Sequence, residues 1–259
     1  MAPHLDSDPS IAQPIAGSRS SPSNPDRKRF LFQHTWFDDF VRSEWEQGTS
    51  HLRGKRLSIL EVGSFEGAST TWLLDNLMSH PGSTLTAVDT FEGGMEHQDD
   101  EQEKKYGLAT LEQRFRSNVS QCIHSDRLTV MRSKSEDALL RLREERATFD
   151  LIYIDASHVA IDVLHDAVLS WRMLTQGGTL IFDDFAWKGY MEDCYNPRIA
   201  IQSFLRCAAP EIETRETEGQ LWVTKVLRRF APTPNPDPAL YYWEKESVDE
   251  SPLVVNSHD

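Results

Sequence analysis

The stretch Ile59-Leu-Glu-Val-Gly-Ser-Phe-Glu-Gly-Ala-Ser69 decides how the chain reads. Its apolar start closes a run from Leu57 to Val62 that suits a buried strand. Gly63 and Gly67 then frame a turn, and a helix begins near Ala68. A ligand at the carboxyl end of a first parallel strand needs close backbone approach, which glycine permits. The spacing is Gly-x-x-x-Gly, not the Gly-x-Gly-x-x-Gly of a pyrophosphate cradle, and no Gly-Lys-Ser/Thr of a phosphate loop follows. Glu61 sets a carboxylate beside the turn, which favours a ligand with an ammonium group and repels a phosphate. Taken alone, the stretch also fits an ordinary strand-turn-helix.

On both sides of it, from 56 to about 227, strand and helix signals alternate. Short β-rich runs occur at Leu57–Val62, Thr84–Asp89, Leu128–Met131, Phe149–Asp155 and Thr179–Asp183. Helical stretches lie near 67–79, 108–123, 135–146 and 159–174, and Gly177-Gly178 stops the last of these before the fifth strand. Such alternation predicts an α/β domain with a mostly parallel sheet covered on both faces. A further helix near 197–208 ends at Pro210. Two β-like segments follow, Ile212–Thr217 and Leu221–Val226, joined at Glu218-Gly219, so a seven-stranded sheet should close with an antiparallel C-terminal hairpin.

The chain has 259 residues, with 27 Lys and Arg against 41 Asp and Glu, a formal charge of −14. That surface repels phosphate backbones, so no nucleic-acid partner is expected. Cys122, Cys194 and Cys207 are too scattered for a zinc site or a disulfide framework and suit a reducing compartment. No apolar run is long enough to span a bilayer and the N-terminus lacks an apolar signal core, so no membrane partner and a cytoplasmic location are expected. Residues 1–28 hold five prolines among polar residues and read as a disordered tail. Residues 29–55 read as an N-terminal helical segment. Its aromatic stripe, Phe30 to Trp45, suits a packing surface or the interface of a homodimer. The α/β domain spans 56–230, and 231–259 read as a flexible tail with one docking point at Leu240-Tyr-Tyr-Trp243.

Acids gather at the expected strand ends. Asp89 closes Thr84-Leu-Thr-Ala-Val-Asp89, where a carboxylate can accept both hydroxyls of a ribose. Asp155 closes the fourth strand, and Asp183 and Asp184 close the fifth. Hard carboxylate oxygens suit Mg²⁺ or another divalent cation. His158 follows Asp155 at the start of the next helix, where an imidazole can serve as general base. His165, on the same helix, reads as an ordinary surface or core residue. Acids that merely cap helices or face solvent remain the alternative.

Glu61-Val-Gly-Ser-Phe-Glu-Gly67, Val88-Asp-Thr-Phe-Glu-Gly93, Ile154-Asp-Ala-Ser-His158 and Gly177-Gly-Thr-Leu-Ile-Phe-Asp-Asp184 together resemble a class I S-adenosylmethionine-dependent methyltransferase. They are similar to the subgroup holding metal-dependent macrolide-sugar and catechol-type O-methyltransferases. The resemblance implies a Rossmann-like fold, S-adenosylmethionine as methyl donor and a small-molecule acceptor. It implies cofactor contacts from Glu61, Gly63, Ser64, Gly67, Asp89, Thr90, Ser135 and Asp155, a divalent cation on Asp155, Asp183 and Asp184, and His158 as the catalytic base. One departure stands out: relatives carry an acid and a serine beside the adenine after the third strand, and here the stretch is Arg132-Ser-Lys-Ser135, with Lys134 in the acid's place and Glu136 as a substitute.

Methyl transfer from a sulfonium needs an acceptor held in line, and a hydroxyl acceptor needs its proton removed. Phe185, Trp187 and Tyr190 could wall an apolar acceptor pocket. The acidic stretch Glu92–Lys105 reads as a solvated loop, or as a lid at the carboxyl edge of the sheet. The rival readings are an NAD-dependent oxidoreductase and a non-catalytic scaffold of the same fold. The glycine spacing opposes the first; the intact acids and His158 oppose the second.

Overall fold

Strand β1 (Ser58–Val62) lies inside a seven-stranded sheet, third in the order β3-β2-β1-β4-β5-β7-β6. The computed structural model describes residues 30–227 except 98 and 99. β2 (Thr84–Asp89), β3 (Leu128–Arg132), β4 (Phe149–Ile154) and β5 (Leu174–Phe182) join β1 in parallel. β6 (Ile212–Glu216) and β7 (Leu221–Lys225) add the expected antiparallel edge. Among the described residues the α-helices are α1 (Arg42–Gly48), α2 (Ala68–Leu77), α3 (Asp100–Tyr106), α4 (Leu111–Val119), α5 (Ser135–Glu144), α6 (Ala160–Met173) and α7 (Pro197–Ala208).

The period-two alternation of the central strands divides the core into two layers. Leu60, Val62, Ile152 and Ile154 face α5, α6 and α7. Ile59, Leu151 and Tyr153 face α1, α2 and α4. Parallel strands need crossovers, and these helices supply them on both faces.

Two expectations are corrected. β5 starts at Leu174 and runs through the glycine pair that the sequence reads as a boundary. Phe149 pairs with Leu174 and Leu151 with Thr179, so the extra residues bulge, and Gly177 takes φ +78° to allow it. The stretch 92–105 is not all loop: its Glu/Gln/Lys-rich end forms α3 through propensity, without an apolar stripe to announce it. Residues 30–35 are irregular, and helical turns follow at Phe37–Val41, through α1 and at Ser50–Leu52.

Part of the aromatic stripe packs within the chain. Trp45 is fully buried, with ring edges on Phe37, Trp72 and Tyr153 at centroid distances of 5.2, 5.3 and 4.8 Å. Truncating a tryptophan in such a place costs roughly 3–5 kcal/mol. Among the stripe's members, Phe40 stays exposed. Among the described residues no helix is long and apolar enough to cross a membrane. The expected tails, 1–28 and 231–259, lie outside the described residues.

Candidate active site

The carboxyl ends of the parallel strands open on a cleft of about 1300 Å³. It exceeds the roughly 300–1,000 Å³ of ordinary ligand pockets, which leaves room for two molecules. Gly63, Asp89, Ser133–Glu136, Asp155–His158, Asp183 and Asp184 line its floor, one group from each strand end. A strap of N-terminal residues, His34–Trp36 and Asp39–Val41, forms a facing wall.

The glycine turn works differently from the simplest expectation. Gly63 has φ +89°, and a Cβ there would lie 1.9 Å from the Asp155 carbonyl oxygen. The close approach is therefore between the β1 turn and the end of β4. Gly67 caps α2 in the left-handed region, φ +84°. Glu61 is fully buried and does not line the cleft. Its Oε2 accepts from Ser64 Oγ (2.7 Å) and Thr70 Oγ1 (2.5 Å), while its Oε1 is buried with no hydrogen-bond partner. Desolvation pushes this carboxyl up to about 7. An orphaned buried acid just beneath the cleft fits a ligand that brings a cation.

Asp89 is more committed than its position at the strand tip suggests. Its Oδ2 accepts from the backbone N–H of Ser64 (2.7 Å) and Phe65 (2.8 Å), and its Oδ1 from that of Phe91 (2.6 Å). A carboxylate offers about four acceptor positions. One remains for a ligand, so Asp89 has room for one ribose hydroxyl rather than two. Thr90 lines the cleft next to it, with its Oγ1 accepting from the Glu92 N–H at 3.2 Å.

The strand-end acids come together as the sequence predicts, with one rearrangement. Ligand atoms of Asp155, His158 and Asp184 lie within 4.8 Å of one another. Asp183 lines the same cleft, but its Oδ1 accepts from Gln220 Nε2 at 2.7 Å. Tyr153 donates its hydroxyl to Asp155 Oδ2 at 3.0 Å. Burial, then Asp183 and Asp184, hold the Asp155 carboxyl well above the usual range. Burial and Asp184 raise Asp183 to about 7. Crowded, desolvated carboxylates of this kind are what a hard cation relieves, so the donor set fits Mg²⁺ or a similar ion.

His158 Nε2 sits 2.8 Å from Asp184 Oδ2, and its ring stacks on Trp187 at 4.5 Å and 15°. Asp184 holds this pose with a left-handed backbone, φ +58°. Of the three aromatics expected at an acceptor pocket, only Trp187 lines the cleft. Phe185 is buried in the core under the Arg198 guanidinium, and Tyr190 meets Trp187 edge-on at 5.1 Å.

Several residues escaped the sequence reading. Glu66 and Arg114 form a buried ion pair at 3.1 Å. Glu66 Oε2 also accepts from the Gln33 N–H at 2.8 Å, and Asn118 Oδ1 accepts from the Leu31 N–H at 2.5 Å, which anchors the strap. Rings of His34, Phe65, His97 and Tyr106 then close one end of the cleft, with His34–Tyr106 and His97–Tyr106 at 4.6 and 4.4 Å. His165 and Asp166, on α6, line it as well. No local pattern marks any of these, because their partners are distant in the chain.

Residues 60–185 match the family model of a methyltransferase domain. No curated protein matches the chain. Among solved structures, an O-methyltransferase from Bacillus cereus in complex with SAH is 22% identical, with 71% of this chain and 81% of that one covered at a TM-score of 0.50. TomG of Streptomyces achromogenes, an O-methyltransferase of tomaymycin synthesis solved with SAM, is 15% identical over 71% of this chain and 80% of that one, TM-score 0.52. MycE, a methyltransferase of the mycinamycin pathway solved with Mg, SAH and mycinamycin VI, is 15% identical, TM-score 0.51; the match covers 80% of this chain and 53% of MycE.

Residues 60–185 match a methyltransferase domain, and the sheet order with its antiparallel edge fits the Rossmann-like fold of the class I S-adenosylmethionine-dependent methyltransferases that the chain resembles. Neither an NAD-dependent oxidoreductase nor a non-catalytic scaffold is favoured.

Proposed function

We propose that the protein transfers the methyl group of S-adenosylmethionine to a hydroxyl of a small, largely apolar acceptor, assisted by a divalent cation. The observation that carries this reading is the His158–Asp184 pair, 2.8 Å apart, in a cleft where Asp155 and Asp183 also converge. A base oriented by a carboxylate is what removal of a hydroxyl proton needs.

In this reading the glycine turn from Gly63 to Gly67, with Ser64, bounds the methionine end of the donor, and Glu61 balances its ammonium. Asp89 and Thr90 take the ribose, Ser135 lies at the base end, and Asp155 stands between donor and acceptor. Asp155, Asp183 and Asp184 would hold the cation, which lowers the pKa of an acceptor hydroxyl and orients it. His158 takes the hydroxyl proton, and Asp184 stabilises the imidazolium that results. The acceptor oxygen gains the methyl group, the S–CH₃ bond breaks, and S-adenosylhomocysteine leaves. Trp187 fixes the His158 ring by stacking.

The acceptor's character follows from the rim. Phe40 (63%), Met95 (63%) and Ile161 (68%) are unusually exposed for apolar side chains, and all three line the cleft with Trp36 and Trp187. A polar sugar gains nothing from such a mouth; a flat or aliphatic hydroxyl compound does. Incubation with S-adenosylmethionine and a hydroxyl panel tests the reading. S-adenosylhomocysteine should accumulate with apolar hydroxyls, stop with chelator and resume with Mg²⁺. Full turnover in excess chelator would remove the cation from the account.

A further inference from the structure

Tyr153 stands two residues before Asp155, at the end of β4, and the period of a strand sets both side chains on one face of the sheet. Tyr153 is fully buried, and a buried phenol hydroxyl needs an acceptor. It finds one in Asp155 Oδ2 at 3.0 Å, and the same hydroxyl meets Asp183. The ring is held in place by Trp45, which abuts it edge-on at 4.8 Å and 88°. A phenylalanine would fill this core position equally well, so packing alone does not call for the hydroxyl.

Each acid at the ends of β4 and β5 is tied by one oxygen. Asp155 Oδ2 accepts from Tyr153, Asp183 Oδ1 accepts from Gln220 Nε2 at 2.7 Å, and Asp184 Oδ2 pairs with His158 Nε2 at 2.8 Å. Each carboxylate therefore keeps at most one unengaged oxygen. A proton donor on one oxygen competes with a cation for it, which leaves the other oxygen as the ligand. Cations differ in what they ask of such a set. Mg²⁺ demands near-ideal octahedral geometry and keeps several of its waters, whereas Ca²⁺ takes more oxygens, commonly both from one carboxylate.

We propose that the Tyr153 hydroxyl is a positioning group: it keeps Asp155 a one-oxygen ligand and so favours small octahedral cations over Ca²⁺ at this site. The inference rests on the reading that the acids at these strand ends bind a divalent cation. Tyr153 does not line the cleft and acts only through Asp155.

Calorimetric titration of Mg²⁺ and of Ca²⁺ into the wild type and Tyr153→Phe tests it. Loss of the hydroxyl frees Asp155 Oδ2, so the ratio of Ca²⁺ affinity to Mg²⁺ affinity should rise by on the order of tenfold. A merely structural role would weaken both ions alike and leave the ratio where it was. An unchanged ratio in folded Tyr153→Phe would overturn the role of Tyr153 while the cation reading stood. Binding of neither ion by the wild type would overturn both. If the variant does not fold, a crystal structure of the wild type with Mn²⁺ decides. Asp155 on the ion through Oδ1 alone, with Tyr153 still on Oδ2, supports the proposal, and any other arrangement of Asp155 overturns it.

Discussion

Gln220 Nε2 donates to Asp183 Oδ1 at 2.7 Å. The same amide's Oε1 accepts from Trp45 Nε1 at 2.9 Å, so one buried side chain in the β6–β7 turn joins the N-terminal segment to the acids. Partners that orient a ligating carboxylate commonly affect metal affinity by about 10–100-fold. Gln220→Leu should weaken Mn²⁺ binding by that order and, by stranding the Trp45 N–H, lower stability by about 1–3 kcal/mol. Mn²⁺ titration and urea unfolding measure the two effects; an unaltered Mn²⁺ affinity would leave Asp183 outside the cation site.

The strap depends on a buried charge pair. Arg114→Met leaves Glu66 charged and uncompensated, 3% exposed, and should cost about 3–5 kcal/mol. The double variant Arg114→Met/Glu66→Gln should cost less than the sum of the single changes. Denaturant unfolding of all three closes this cycle, and strict additivity would show that the pair is not coupled.

Glu61 gives a pH signature. Its folded carboxyl is pushed from 4.5 up to about 7, so the folded state holds a proton that the unfolded chain releases. Stability contributed by this group is full below pH 4.5 and is lost as pH rises through 7. The loss approaches about 3 kcal/mol. Glu61→Gln should therefore match the wild type at pH 4.5 and exceed it at pH 8 in ligand-free melting, while binding S-adenosylmethionine more weakly. A melting difference that does not change with pH would contradict the buried, orphaned Oε1.

The sheet was legible because apolar runs and glycine stops repeat along the chain, and the candidate site because acids fall at consecutive strand ends with His158 just beyond. What was hidden is three-dimensional. Gly63 reads as a ligand cradle, but its missing side chain makes room for the Asp155 carbonyl. Asp89 reads as a free ribose acid, yet three backbone N–H groups already hold it. Asp166 looks like one more charge on an amphipathic helix; only packing shows it buried. The Gly177 bulge extends β5 past a signal that normally ends an element.

Trp187 offers a test of positioning apart from binding. Trp187→Ala removes the ring stacked on His158 without touching the glycine turn. The turnover rate should fall by about 10–100-fold, with S-adenosylhomocysteine affinity within about twofold of wild type. Loss of cofactor affinity instead would place Trp187 in the donor site.

In the proposed reaction one cleft holds the methyl donor and a divalent cation side by side. NMR of S-adenosylmethionine labelled with ¹³C at the transferred methyl, bound to the protein and titrated with Mn²⁺, measures this directly. Paramagnetic broadening of the bound methyl resonance, reversed by chelator and absent in Asp184→Asn, is the predicted result. A bound methyl resonance that stays sharp at saturating Mn²⁺ would contradict the claim.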